Sequence, residues 1–190
     1  IGLFDLGEVN RAAAAFDLDK LKWLNQHYIK EADADRLGAL LAAGLEARGV
    51  EIASGPALRS VADALRERAQ TIDELIDKSL YFYSDFDEYD EGAAKKHLRP
   101  VAAGLMSDIR ERFEALSGWQ AQTIHDALQA CVEANDSKLG KIAQPLRVAV
   151  SGTAATPPID ITLELVGKER TLERIDSAIG FIAARAEQGA

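Results

Sequence analysis

Lys138-Leu-Gly-Lys-Ile-Ala-Gln-Pro-Leu-Arg-Val-Ala-Val-Ser-Gly152 runs directly into Thr153-Ala-Ala-Thr-Pro-Pro-Ile-Asp160. The first part is basic and apolar and reads as a helix, yet it carries Pro145 in its interior. A proline there removes one hydrogen bond and bends the axis. The bend leaves backbone groups near Arg147 without helical partners. Gly152 stops the run, and a small-residue loop comes next, closed by Pro157 and Pro158. Arginine has planar, forked donors and a face for stacking. Beside spare backbone groups and a stiff Thr-Pro-Pro loop, it suits the capture of an unstacked base. The same residues also fit a kinked core helix with a solvated arginine. Val148-Ala-Val150 adds some strand character, with no partner strand in view.

Outward from this stretch the pattern is helical throughout. Phe16 to Ile29 places Leu18, Leu21, Leu24 and Tyr28 at helical spacing behind a capping Asp17, with Trp23 and Ile29 widening the face; a core helix is expected. Asp33 to Arg48 turns Leu37, Leu40, Leu41 and Leu45 inward and stops at Gly49. Gly55-Pro56 is expected to open a third helix, with proline at its first position. Thr71-Ile-Asp-Glu74 is a capping box for a fourth. Tyr81 to Tyr89 is the most aromatic stretch, but its neighbours are Asp85, Asp87, Glu88, Asp90 and Glu91. Those acids repel phosphates, so the stretch reads as packing between helices. Asp90 caps a helix to about Leu98, and Arg99-Pro100 forces a boundary. A longer helix ends at Ser117-Gly118, and another runs from Ala121 to Ala134 with Cys131 on its apolar face. Beyond the proline loop come a short helix, Ile159 to Val166, and a last one from Lys168 to about Ala186. The expected fold class is all-α, about ten helices with short connections. Ser117-Gly118 is the candidate boundary between two helical subdomains, 31–117 and 118–190.

Composition narrows the function. The 190 residues carry a net charge of −9, which argues against indiscriminate nucleic-acid binding. Residues 136–174 hold six Lys/Arg against five Asp/Glu, while residues 1–135 hold 15 against 24. The carboxy-terminal part is thus the less repulsive one for RNA, and phosphate contacts can be local. No stretch approaches the length of a membrane span. The opening Ile1-Gly-Leu-Phe-Asp lacks a basic flank and an initiator Met, which suggests an excised fragment. One cysteine, Cys131, fits a reducing compartment, and its place on an apolar face favours packing over reactivity. His27, His97 and His125 lie far apart, so no metal site is expected. No catalytic residue is assigned: there is no Gly-rich phosphate loop, and Ser151-Gly152 lacks the flanks of a nucleophile elbow. Two readings stay open on these residues. One is an RNA-binding module; the other is a helical protein-interaction or scaffold domain with an acidic surface. A complete small enzyme has no constellation to support it. The first reading requires Lys141, Arg147 and Lys168 on one basic surface; the second lets them diverge.

Several motifs together resemble one family. They are Phe16-Asp-Leu-Asp-Lys-Leu-Lys-Trp-Leu-Asn-Gln-His-Tyr-Ile29, Ala93-Ala-Lys-Lys-His-Leu-Arg-Pro-Val101, Lys141 to Gly152 with the Thr-Pro beyond it, and Leu165-Val-Gly-Lys-Glu-Arg-Thr-Leu-Glu-Arg-Ile175. In this order, from Leu3 to about Ala184, they resemble the carboxy-terminal, anticodon-binding part of bacterial glutamyl-tRNA synthetase, a class I aminoacyl-tRNA synthetase. The resemblance implies recognition of the tRNA(Glu) anticodon by a cytoplasmic, monomeric translation protein. Residues 1–30 would be the end of the stem-contact domain. The HIGH-like and KMSKS-like signatures do not occur, so ATP and Mg would belong to the full-length ligase and no cofactor to this part.

The family's pattern also implies site residues. The arginine of Pro-Leu-Arg and the Thr-Pro loop that read anticodon bases correspond to Arg147, Thr156, Pro157 and Ile159. Pro158 stands where a glycine or other small residue is usual. Arg66-Glu-Arg-Ala-Gln-Thr-Ile-Asp-Glu74 resembles the segment whose arginine reads the third anticodon base, which is C for glutamate and G for glutamine; the matching residue is Arg68. Arg66 is its neighbour on the same segment, and a surface ion pair with Glu67, Asp73 or Glu74 is the plain alternative for Arg68. Lys141 and Lys168 are the candidate contacts to the tRNA backbone.

Overall fold

A computed structural model describes residues 17–188. The opening segment, including Phe16 and the start of the family-like match at Leu3, lies outside them. The described residues form ten α-helices and a 3₁₀ turn, without a strand. The all-α expectation is met.

Four helices build the first core. They are α1 (Leu18–Glu31), α2 (Ala34–Ala47), α3 (Leu58–Leu65) and α4 (Ile72–Tyr83), with the 3₁₀ turn Arg66–Arg68 between the last two. Asp17, Asp33 and Thr71 cap α1, α2 and α4 through side-chain oxygens that accept first-turn amides. The Glu74 carboxylate accepts from the Gln70 amide at 3.0 Å, one residue before the reciprocal partner of a strict capping box. Leu41, Leu45, Val61, Leu75 and Phe82 are fully enclosed, and Val166 joins them from near the chain's carboxy-terminal end.

Six helices build the second core: α5 (Glu91–His97), α6 (Pro100–Ala115), α7 (Ala121–Ala134), α8 (Leu139–Ser151), α9 (Ile159–Val166) and α10 (Lys168–Gln188). Met106, Ile109, Phe113, Ile124, Leu128, Ile142, Leu146, Leu163 and Ile175 meet there. The two cores part between Tyr83 and Ala93. The reason is α6, which packs against α7, α8 and α10 and so shares a core with the later helices.

Four expectations need correction. Leu18, Leu21, Trp23, Leu24 and Tyr28 are exposed, and only Ile29 of α1 is buried. Periodicity shows which face is apolar, not that anything covers it. Leu40 is also exposed. Pro56 precedes α3 instead of opening it, because its carbonyl accepts the Tyr83 hydroxyl at 3.2 Å and a side chain at Gly55 would strike the Tyr83 ring. Val148-Ala-Val150 is buried helix: α8 continues through Pro145 to Ser151.

The aromatic stretch does pack between helices. Phe82 and Tyr83 are buried, Phe86 meets Tyr89, and Tyr89 meets Phe181 of α10 edge-on at 5.0 Å. Cys131 is buried too, and its thiol donates to Asp108 at 3.2 Å. Burial, reinforced by that carboxylate, pushes the thiol up to about 12, so it is unreactive at neutral pH.

Candidate functional site

α8 ends in a left-handed residue, Gly152, with φ of 76°. A side chain there would also press on the Phe86 ring at 3.3 Å. The Gly152 carbonyl accepts from the Asp90 amide at 2.8 Å, which ties the α4–α5 loop to the end of α8. Ser151 braces the same end, donating to the Arg147 carbonyl at 2.8 Å and accepting from the Thr153 amide at 3.2 Å. The backbone around Arg147 is therefore fixed from both sides.

Arg147 is half-buried. Its Nε donates to the Thr156 hydroxyl at 3.1 Å, and that hydroxyl donates in turn to the Pro157 carbonyl at 2.9 Å. Thr162 donates to the same carbonyl at 3.3 Å. Among the described residues the two terminal guanidinium nitrogens of Arg147 have no protein acceptor. The guanidinium is thus oriented through one nitrogen and leaves its fork open. Burial pushes its pKa down, and the nearby Arg68 charge adds to that; Asp160 and Tyr81 oppose it only in part. Arg68 and Arg147, from distant segments, thus lie within electrostatic reach of each other and of the Tyr81 hydroxyl.

Arg68 and Arg66 separate clearly. Arg66 donates to the Lys30 carbonyl at the end of α1 at 3.0 Å and pairs with Asp63 at 3.0 Å. Arg68 is exposed and has no ion pair among the described residues, with Glu67, Asp73 or Glu74 included. Glu67 pairs with Lys30 and Glu74 with Lys78.

The remaining site residues support more than they offer. Thr156, Pro157 and Ile159 are buried, and Ile159 lies in the second core as the first residue of α9. The Thr156 hydroxyl is committed to Arg147 and Pro157 and so orients the arginine. Pro158 is exposed and sits at the N-cap of α9 with φ of −46°, close to the range that the proline ring imposes. Lys141 is exposed on a different flank of α8. Lys168 does not reach outward: its ammonium caps the end of α6 by donating to the Glu114 and Leu116 carbonyls at 2.8 and 2.6 Å. The three basic residues expected on one surface are therefore dispersed, and Arg68 is the cation within electrostatic reach of Arg147.

Two residues escape sequence reasoning. The Tyr81 hydroxyl is buried without a hydrogen bond; its neighbour Thr162 gives its proton to Pro157. Burial pushes the phenol pKa far up, against the pull of Arg68, Arg174 and Arg147 around it. Arg174 of α10 is buried and donates to the carbonyls of Tyr81, Val150 and Ser84 and to Asp85, with its guanidinium 5.0 Å from the centre of the Phe86 ring. The available signal is a charged residue at a core position of α10, one helical step from Ile175. The described residues contain no cluster of potential metal ligands and no helix long and apolar enough to cross a membrane.

Comparison with known proteins adds a family. A model of the anticodon binding domain matches residues 18–179. The structure of a glutamate tRNA ligase from Elizabethkingia meningosepticum CCUG26117, in complex with its amino acid, is similar at 30% identity and a TM-score of 0.83, over 94% of this chain and 35% of that one. Glutamate-tRNA synthetase from Elizabethkingia anophelis is similar at 30% identity and a TM-score of 0.79, over 93% of this chain and 34% of that one. The chain spans about a third of the length of these proteins.

Proposed function

The chain belongs to the anticodon binding domain family, and from that premise we propose that it reads the anticodon of tRNA(Glu) as the non-catalytic part of a cytoplasmic, monomeric glutamate–tRNA ligase. The observation that carries this reading is the open fork of Arg147, with a second cation, Arg68, within electrostatic reach of it. One arginine is aimed by a buried threonine and keeps its fork open; the other is exposed and free of carboxylates among the described residues. The free donors of both guanidiniums call for acceptors, and the edges of unstacked bases supply them. Specificity for RNA in an acidic chain then comes from a few placed contacts and not from a general attraction. Thr156, Pro157 and Ile159 set the loop that holds Arg147. Adenylation of glutamate, with ATP and Mg, belongs to the remainder of such a ligase.

The test is titration of the chain with the glutamate anticodon stem-loop at one fixed salt concentration. Arg147→Ala loses about 1–3 kcal/mol of binding, the range of a good base contact. Unchanged affinity in that variant removes the site.

A further inference from the structure

A second cationic feature lies away from the arginine pair. Lys96, His97 and Arg99 at the end of α5, with Lys141 on the first turn of α8, line one cavity of about 600 Å³. Asn135, Ser137 and Gln144 add polar groups, and Asp136 is the one carboxylate in its lining. Among the described residues none of Lys96, Arg99 and Lys141 has an ion pair within 4 Å, although the chain as a whole has an excess of carboxylates. Burial, then the charges of Lys96 and Arg99, hold the His97 imidazole below its usual value, as expected where positive charge is left uncompensated.

The helix ends sharpen the point. First-turn residues of α6 and α8 both line this cavity. Arg99 and Lys138 occupy their N-cap positions, neither makes a side-chain cap, and neither first turn carries an acid. A helix N-terminus is the positive end, where cations are unfavourable and anions stabilising. Two such ends around a cavity already lined with cations form a receptor for negative charge. α1, α2 and α4, by contrast, each have an acidic first turn and a side-chain cap.

We propose that this cavity binds backbone phosphates of the tRNA whose anticodon the arginine pair reads. The inference rests on the function proposed above. Lys141 and Arg147 are six residues apart on α8, an axial rise of about 9 Å. A strand with bases at Arg147 can therefore bring a phosphate a few nucleotides away to Lys141. Such a contact fixes position and carries no sequence information.

The experiment uses full-length tRNA(Glu) transcript with the wild-type chain, the pair Lys96→Gln/Lys141→Gln, and a control pair Lys20→Gln/Lys22→Gln on α1. Affinity is measured across salt concentrations. The cavity pair lowers the slope of log affinity against log salt by about 0.7–0.9 for each phosphate no longer neutralised. Affinities for glutamate and glutamine tRNAs fall by the same factor, so their ratio stays fixed. The control pair leaves the slope at its wild-type value. A wild-type slope in the cavity pair, with Arg147→Ala still impaired, overturns this inference alone; a control pair with an equal effect overturns the placement at this cavity. If the wild-type chain binds no tRNA, both this inference and the proposed function fall. Inorganic phosphate is titrated in parallel, followed by the amide resonances of Gly140 and Lys141. A response there, combined with tRNA affinity indifferent to the cavity pair, identifies a small-anion site and excludes the RNA assignment.

Discussion

Arg66 and Arg68 are two residues apart and chemically identical, yet the fold gives them opposite tasks. Arg66 closes the end of α1 through the Lys30 carbonyl, while Arg68 is exposed and has no ion pair among the described residues. The reading that assigns the third anticodon base to Arg68 therefore predicts a clean division. Arg68→Gln narrows the preference for C over G between two stem-loops that differ only at that base. Arg66→Gln keeps the preference and lowers stability by about 1 kcal/mol, since a partly buried carbonyl loses its donor. The ratio of the two affinities, at one salt concentration, decides; an unchanged ratio in the Arg68 variant leaves Arg147 as the sole base contact. Sequence motifs single out Arg147 and Arg68 but cannot place them together, because about 80 residues of chain separate them. Nor do they show that the Thr156 hydroxyl faces inward. A Thr-Pro pair reads the same whether its side chains meet a base or hold an arginine.

Elements are more legible than their surroundings. Caps, prolines and glycines are local signals, so α9 and the start of α4 fall where Asp, Thr, Pro and Gly punctuate the chain. Burial is not local, which is why the apolar stripe of α1 reads as a core face in sequence and is exposed in the fold. The loop between α4 and α5 shows how a non-local contact confers pH dependence. Asp85 accepts from Arg174 at 2.8 Å, and this hydrogen bond, ahead of the opposing effect of burial, holds its carboxyl below the usual range. A depressed folded-state pKa means stability that is present above the unfolded value of about 4 and is lost as pH falls through the folded one. Asp85 is largely exposed, so the contribution is small. Asp85→Asn is accordingly less stable than wild type at pH 7, and the two converge as pH falls below about 4. Urea midpoints at several pH values test this; curves that stay parallel into acid show that the Asp85 charge contributes nothing.

At the scale of the molecule, two hydrophobic cores must act as one body for Arg68 and Arg147 to keep their spacing. Arg68 lies just beyond α3 in the first core, and Arg147 lies on α8 in the second. The end of α9 makes apolar contact across the seam, where Leu165 and Val166 reach the first core. Arginines from α10 add polar connections across the same seam. Arg170 donates to the Phe82 carbonyl at 2.8 Å, and Arg174 donates to the carbonyls of Tyr81 and Ser84 on one side and Val150 on the other. Those acceptors are the last carbonyls of α4 and α8, which have no helical donors of their own. Arg174→Ala leaves several of them buried and unpaired, a loss of about 3 kcal/mol. The loss is carried by the seam and not by either core. The expected outcome is therefore a change in cooperativity as well as in midpoint. Native-state hydrogen exchange reports the two cores separately, through the amides of Leu41 and Leu75 in one and Ile124 and Leu128 in the other. In the wild-type chain their exchange free energies fall together with denaturant; in Arg174→Ala the first core opens at lower denaturant than the second. Anticodon affinity falls in the same variant although Arg174 touches no base, because the spacing of the two reading arginines is no longer fixed. Exchange that remains coincident in both cores, with unchanged affinity, would show that Arg174 is not needed to hold the two cores together.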